Sequence, residues 1–192
     1  MSENILYFAY GSNLNQEDLN KWKREWPEWR NTDLTLDKKS IGFLSGYRLG
    51  FTRISKNRGN KGVADIVPSD DPMSKVWGVI FSLTPEQDRA IAAKEGSPTA
   101  YRPLAIGVTD VDGVKQCCLT YQAVVTDEKR RKYLYHRPSE KYCEVIRKGG
   151  EDHGLPQEFY EHLKVASVTE RNPVGIRMND TSGMVLLDGE NE

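Results

Sequence analysis

The chain has 192 residues, with 27 Lys and Arg against 28 Asp and Glu and a formal net charge of −1 at pH 7. This length suits one domain with its own core, and the balanced charge excludes a long-range field that would attract nucleic acid or a membrane surface. No apolar run is long enough to span a bilayer. We expect no signal peptide, because the first residues lack a basic region followed by an apolar one.

The first predicted element is a strand over Ile5–Ala9 that stops abruptly at Gly11-Ser12-Asn13. Glycine tolerates backbone angles that other residues avoid, and Ser and Asn favour turns by bonding their own backbone. Successive exposed N–H groups in such a turn form a concavity that suits an anion. We therefore expect a cradle for a carboxylate or phosphate at the end of a buried strand, with a plain strand-to-helix turn as the alternative.

A first helix follows this turn. Asn15 is placed to cap it, and Pro27 should end or kink it. Trp22, Trp26 and Trp29 recur at helical spacing, which predicts packing against the domain rather than a face for stacking nucleic-acid bases.

Several β-like stretches occupy the middle of the chain: Gly46–Thr52, Gly62–Pro68, Val76–Leu83, Leu104–Thr109 and Cys117–Val125. The run Val76–Phe81 has almost no polar break, which suits a strand covered on both faces. The Asp112-Gly113 pair lies between two such stretches and predicts a hairpin turn.

The cysteines indicate the cellular compartment. Cys117, Cys118 and Cys143 form an odd set without CxxC spacing. This pattern argues against a disulfide framework or a zinc site. We therefore expect a reducing, cytoplasmic environment.

Three further helices are predicted. Thr84-Pro85-Glu86-Gln87 forms a capping box that starts a helix running to about Lys94, where Gly96 stops it. Ser139 caps a second helix that should end near Gly149-Gly150, and Gly154-Leu155-Pro156 opens a third that runs to about Lys164. The resulting fold class is α/β (α+β), a small mixed barrel, with one domain over residues 1–170 and a polar C-terminal extension over 171–192.

Glu95 is a carboxylate in an unexpected place, directly after the predicted helix Pro85–Lys94. A helix C-terminus carries partial negative charge, so an acid there is disfavoured. That field, added to any burial, should raise the pKa of Glu95. General acid–base chemistry near neutral pH needs such a carboxylate, although an exposed Glu that turns into solvent is the plain alternative.

One set of motifs runs in order along most of the chain: Tyr10-Gly11-Ser12-Asn13-Leu14, Val76-Trp77-Gly78-Val79, Glu95-Gly96 with Tyr101, Pro138-Ser139-Glu140-Lys141-Tyr142, and Gly154-Leu155-Pro156 through Tyr160. Each motif alone is a weak signal. As a set, which spans roughly residues 5 to 166, they resemble the γ-glutamylcyclotransferase family.

The resemblance implies a small β-barrel with a few flanking helices, and an enzyme that cyclises an N-terminal γ-glutamyl group to 5-oxoproline and releases the attached amine. It places the catalytic carboxylate at Glu95. It places substrate contacts at Tyr10, Gly11, Ser12, Asn13, Leu14, Tyr101 and Tyr142. The turn differs from the pattern of the glutathione-specific branch, so glutathione itself is a less favoured substrate.

This chemistry suits the residues present. The substrate's own α-amine attacks the γ-carbonyl, so the enzyme needs no Ser, Cys or Lys nucleophile, and the sequence contains no G-x-S-x-G, H-E-x-x-H or P-loop motif. One carboxylate of raised pKa can take a proton from the ammonium and return it to the leaving amine. We expect a small γ-glutamyl substrate, no metal and no organic cofactor, and the sequence allows a homodimer.

Three alternatives stay open at this point. The enzyme could act on γ-glutamylamines, such as cross-linked lysine side chains, rather than on γ-glutamyl amino acids. The chain could keep the fold and the cradle as a non-catalytic small-molecule-binding protein. The basic cluster Lys129–Lys132 could bind RNA, although a solvated loop is the simpler interpretation.

Overall fold

The computed structural model describes residues 4–125 and 135–168. Its strands and helices follow one another as β1 (Ile5–Ala9), α1 (Gln16–Glu25), β2 (Asp37–Ser45), β3 (Tyr47–Ser55), β4 (Lys61–Pro68), β5 (Lys75–Leu83), α2 (Pro85–Lys94), β6 (Tyr101–Asp110), β7 (Lys115–Ala123), α3 (Glu140–His153) and α4 (Gln157–Val168). Among these residues no helix has the length and apolar character needed to cross a bilayer. The basic cluster at 129–132 and the extension at 171–192 lie outside the described residues.

Five strands close into a barrel in the order β1-β5-β2-β6-β7. All neighbours are antiparallel except β1 and β7, which meet in parallel where Tyr7 faces Leu119. β5 lies between β1 and β2 and is buried from Gly78 to Leu83, as its nearly unbroken apolar run predicts. The predicted mixed barrel is therefore confirmed, and the Asp112-Gly113 turn does join β6 to β7 as a hairpin.

Strand β2 was not predicted from the sequence. It begins with the charged run Asp37-Lys38-Lys39, which is exposed, and only Gly42 and Leu44 along it are buried. Its main-chain pairing with β5 on one side and β6 on the other holds it in the barrel. Such pairing is a tertiary effect that overrides a weak local strand signal.

Strands β3 and β4 form a separate two-stranded sheet. Buried polar contacts attach this hairpin to the end of the barrel. Asp65 in β4 accepts a hydrogen bond from the Ala123 amide at 2.8 Å, and the Gln122 side chain donates to the Ile66 carbonyl at 3.0 Å. The hairpin is thereby fixed beside the C-terminal end of β7, where it contributes to the cavity described below.

Helix α3 extends further than predicted. It continues past Gly149 and Gly150 to His153 and ends at Gly154, which has φ 69°. The two glycines lie inside the helix, at positions where other parts of the chain pack closely against it. A Cβ atom on Gly149 would lie 2.7 Å from the Leu14 backbone, and one on Gly150 would lie 2.4 Å from the Phe159 ring. The predicted third helix also runs longer, to Val168, and Trp77 in β5 anchors it by donating to the Glu158 carboxyl at 2.8 Å.

The tryptophans confirm the packing prediction only in part. The ring of Trp22 lies 6.3 Å from that of Trp26 and 6.5 Å from that of Trp29, measured between centroids. Trp22 and Trp29 pack against the core, whereas Trp26 is 44% exposed. α1 ends at Glu25, before Pro27, as predicted.

Helix α2 has the predicted capping box. The Thr84 side chain accepts from the Gln87 amide at 3.2 Å, and the Gln87 side chain accepts from the Thr84 amide at 2.9 Å. The Gln87 side chain also donates to the carbonyls of Asp33 and Thr35. The start of α2 is therefore fixed, and with it the place where the helix ends at Glu95.

We predict that Thr84→Ala lowers the free energy of unfolding by about 1 kcal/mol, because the first turn of α2 loses its side-chain acceptor. Thr84→Ser keeps the hydroxyl and should retain most of the stability. Urea unfolding of the three proteins measures both values. Equal stability of the Ala variant and the wild type would show that the cap does not hold the helix.

Candidate active site

A small cavity lies where the turn after β1, the end of α2 and the β3–β4 hairpin meet. We call it the inner chamber. Most of the residues predicted from the sequence line it: Tyr10, Gly11, Ser12, Asn13, Glu95, Tyr101 and Tyr142. The chain thus brings together three distant segments, the turn after β1, the stretch from Glu95 to Tyr101, and Tyr142 in α3, and Glu95 is the one acidic side chain among the described residues of the lining.

Glu95 is the C-cap residue of α2, and its amide donates to the Ile91 carbonyl at 2.9 Å. Its carboxyl opens into the inner chamber. Loss of bulk water around the carboxyl raises the pKa of Glu95 above its ordinary value, while Lys94 and the bond from Asn13 oppose this effect. The predicted direction of the shift is confirmed, and burial is its main cause.

The Asn13 side chain connects the turn to Glu95. Its Nδ2 donates to Glu95 Oε1 at 2.6 Å and to the Tyr7 hydroxyl at 2.8 Å, while its Oδ1 accepts from Lys94 Nζ at 2.7 Å. An ammonium can only donate, so Lys94 requires that the amide oxygen face it. The NH₂ group must then face the carboxyl, which leaves Glu95 Oε2 as the oxygen that can accept a proton.

Asp18 holds Lys94 in this position. Lys94 Nζ lies 3.2 Å from Asp18 Oδ2, and the Arg58 guanidinium donates to both Asp18 oxygens at 2.6 and 2.8 Å. Burial opposes ionisation of Asp18, but the two cations outweigh it and hold its pKa below the usual value. Asp18 therefore stays charged and orients Lys94 and Arg58 at the wall of the site.

The anion cradle is narrower than predicted. Residues Ser12–Leu14 form a 3₁₀ turn in which the Leu14 amide donates to the Gly11 carbonyl and the Asn15 amide to the Ser12 carbonyl, each at 3.1 Å. The amides of Ser12 and Asn13 stand at the start of the turn, where amides have no partner within the helix. Leu14 packs in the core and does not line the chamber. The Leu14 amide is therefore used inside the turn, and Gly11, Ser12 and Asn13 are the members of the predicted cradle that line the chamber.

The tyrosines that line the chamber form two groups, according to whether the hydroxyl donates or accepts a hydrogen bond. Tyr10 donates to the Tyr121 carbonyl at 2.6 Å, and Tyr101 donates to the Ala64 carbonyl at 2.8 Å. The protons of these two hydroxyls are therefore committed to the backbone.

Tyr142 and Tyr7 are arranged differently. The Tyr142 oxygen accepts from the Ala64 amide at 3.3 Å. The Tyr7 oxygen accepts from Asn13. Each of these two hydroxyls keeps a proton that can be directed into the chamber. Burial raises the pKa of Tyr142 to about 12, so that the group remains a donor.

Sequence reasoning missed three residues that line the chamber: Tyr7, Ala64 and Tyr121. Tyr7 carried a signal, since a phenol in an apolar strand two residues before the end of β1 needs a polar partner. Tyr121 faces it from β7, with ring centroids 6.2 Å apart. Ala64 had no signal, because its backbone rather than its side chain bonds the two tyrosines.

The chamber adjoins a wider outer basin. Ser12, Glu95, Tyr101 and Tyr142 line both spaces. A molecule held in the inner chamber can therefore extend past Tyr101 and Tyr142 toward solvent.

Comparison with known proteins supports the same interpretation. The AIG2-like family matches residues 75–163. The chain is 28% identical to the γ-glutamylcyclotransferase of Mus musculus over 99% of this chain and 92% of that protein, and 27% identical to that of Homo sapiens over 95% and 84%. A solved structure named γ-glutamyl cyclotransferase superposes with a TM-score of 0.67 at 25% identity, covering 96% of this chain and 94% of the other. The resemblance seen in the sequence motifs is confirmed, and the chain is related in both sequence and fold to the γ-glutamylcyclotransferases.

Proposed function

We propose that this protein is a γ-glutamylcyclotransferase, an enzyme that converts an N-terminal γ-glutamyl group into 5-oxoproline and releases the attached amine. One observation carries the proposal: Glu95, Ser12 and Asn13 line the same small chamber, and the Asn13 side chain donates to the Glu95 carboxyl. The relatives named γ-glutamylcyclotransferase support the assignment.

The chamber suits the two charges at the α-carbon of a γ-glutamyl group. Among the described residues, its lining contains no Lys, Arg or His, and Glu95 is its one carboxylate. The α-ammonium is attracted to Glu95, and the α-carboxylate is placed on the amides of Ser12 and Asn13, where a turn presents its N–H groups. This pose folds the glutamyl chain so that the amine approaches its own γ-carbonyl.

The reaction then requires one proton carrier. Glu95 Oε2 takes a proton from the α-ammonium, and the freed amine attacks the γ-carbonyl carbon to form the ring C–N bond. The carbonyl oxygen becomes negatively charged, and the hydroxyls of Tyr7 and Tyr142 are placed to donate to it. Collapse of this intermediate breaks the bond to the leaving amine, which receives the proton from Glu95, and the ring nitrogen gives its second proton to the resulting carboxylate or to water, so that a neutral lactam remains.

The environment of Glu95 suits both halves of this cycle. Burial raises its pKa, so the carboxyl holds the proton between the two steps. Lys94 and the bond from Asn13 favour the ionised form and oppose this rise. Intramolecular attack supplies much of the remaining acceleration, since well-oriented internal reactions reach effective molarities of about 10⁵–10⁸ M.

We also propose that the enzyme uses only its own residues for this acyl transfer, without an organic cofactor or metal, and acts in the cytoplasm. All three cysteines are free thiols, Cys118 being buried, as suits a reducing compartment. A non-catalytic binding protein of the same fold would have no need to keep Glu95 at a helix C-terminus. RNA binding depends on residues 129–132, which lie outside the described part of the chain.

We predict that Glu95→Gln keeps the fold and lowers the rate of 5-oxoproline release by roughly 10²–10⁴, the range of general acid–base catalysis. The amide preserves the shape of the side chain but cannot carry the proton. Incubation with a panel of γ-glutamyl dipeptides and amines, followed by detection of 5-oxoproline, measures the effect. Glu161→Gln, the same change at an exposed position of α4, is the control. Near-normal turnover by the Glu95 variant would refute the assignment.

We predict that Lys94→Met moves the acidic limb of the pH–rate profile to higher pH. The ammonium favours the ionised form of Glu95, so its loss raises a pKa that burial already holds above 4.5. The base must be ionised to act, and activity is therefore lost earlier as the pH falls. Lys94→Arg keeps the charge and should keep the limb near its wild-type position. An unshifted limb in the Met variant would mean that Glu95 is not the group that titrates.

A further inference from the structure

The inner chamber and the outer basin differ sharply in charge. In the part of the chain that the structure describes, no cation lines the chamber, whereas the basin carries Lys21, Arg53, Lys56, Arg58 and Lys94. The acids of the basin are Asp18, Glu25 and Glu95. A substrate that spans both spaces therefore meets one carboxylate inside and an excess of positive charge outside.

Two of these cations already have an acidic partner. Arg58 and Lys94 both bind Asp18, at 2.6 and 3.2 Å. Lys21 and Lys56 are exposed on the rim of the basin, where water screens their charge and weakens any ion pair. These four residues are therefore poorly suited to hold an anionic group of the substrate.

Arg53 is different. It is partly buried in β3, and its guanidinium lies over the Tyr101 ring, with Cζ 5.8 Å from the ring centroid. Within residues 4–125 and 135–168 the side chain makes no hydrogen bond or ion pair. A guanidinium presents five donors in a planar fork that matches a carboxylate. Arg53 thus offers an unused anion-binding group next to a residue that lines both spaces.

The position of Arg53 decides which part of the substrate it faces. It lines the basin but not the chamber, while Glu95 and Tyr101 line both. If the glutamyl group occupies the chamber and the bond to be broken lies beside Glu95, the leaving part extends past Tyr101 into the basin. Any charge on the leaving part then approaches Arg53.

We propose that Arg53 binds the carboxylate of the leaving amino acid and makes the enzyme selective for γ-glutamyl amino acids over γ-glutamylamines. This inference rests on the function proposed above. One side chain then decides between the two substrate classes. The leaving part of a γ-glutamylamine has no carboxylate, so the Arg53 guanidinium has no group to bind there. The contact is present in the substrate and in the transition state alike, so it acts mainly on KM.

The test compares two substrates that share the glutamyl group and differ in one carboxylate: γ-glutamyl-alanine and γ-glutamyl-ethylamine. The wild type should use the first more efficiently. Arg53→Gln should lower kcat/KM for γ-glutamyl-alanine by roughly 10- to 100-fold, the value of a hydrogen bond to a charged group, mainly through a higher KM. The same variant should leave γ-glutamyl-ethylamine little changed. Arg89→Gln, the same substitution at an exposed position of α2, is the control, and thermal melting shows that each variant is folded.

An equal loss on both substrates would overturn the proposal, because Arg53 would then act on the shared glutamyl group or on Glu95. No loss on either substrate would overturn it as well. These outcomes can be distinguished from a failure of the proposed function. If that function is wrong, the wild-type protein releases 5-oxoproline from neither compound.

Discussion

The hydrogen bond of 2.6 Å between the Asn13 amide and the Glu95 carboxyl is the contact on which the site depends. It joins the turn at the end of β1 to the end of α2, two segments that are 82 positions apart in the chain. β1 is fixed in the barrel by β5 and β7, and α2 is fixed at its start by the capping box. With both ends held by the fold, the carboxyl is presented to a small chamber instead of to solvent.

The charges around this contact form a connected chain. Asp18 binds both Arg58 and Lys94, and Lys94 in turn sets the orientation of Asn13. The buried ion pairs gain little net stability against their desolvation cost. Their value here is directional, because they decide which face of the Asn13 amide meets Glu95. Among the described residues the inner chamber is left with a single acid and no cation, which suits a zwitterionic guest.

Local signals in the sequence were sufficient for much of the fold. The cap at Asn15, the capping box at Thr84 and the turn at Asp112-Gly113 each depend on neighbouring residues, and each is present in the structure. The position of Glu95 after α2 could be predicted for the same reason.

Features that depend on distant contacts could not be predicted in this way. β2 is a strand because β5 and β6 pair with it. Gly149 is helical because the turn at Leu14 packs directly against it. The bonds of Asn13 to Lys94 and of Ala64 to the tyrosines join segments far apart in the chain. The residues near each partner in the sequence give no indication of such pairs. The predicted anion cradle includes Leu14, but the Leu14 amide donates to a carbonyl within the turn.

The central claim is that the chamber supplies a proton carrier while the substrate supplies the nucleophile. Its most direct test is product analysis after turnover of a γ-glutamyl dipeptide in water enriched in oxygen-18. Attack by the substrate's own amine gives 5-oxoproline whose ring carbonyl carries no label, with no free glutamate formed by the enzyme. Labelled glutamate as the enzymatic product would show that water is the nucleophile and would contradict the account.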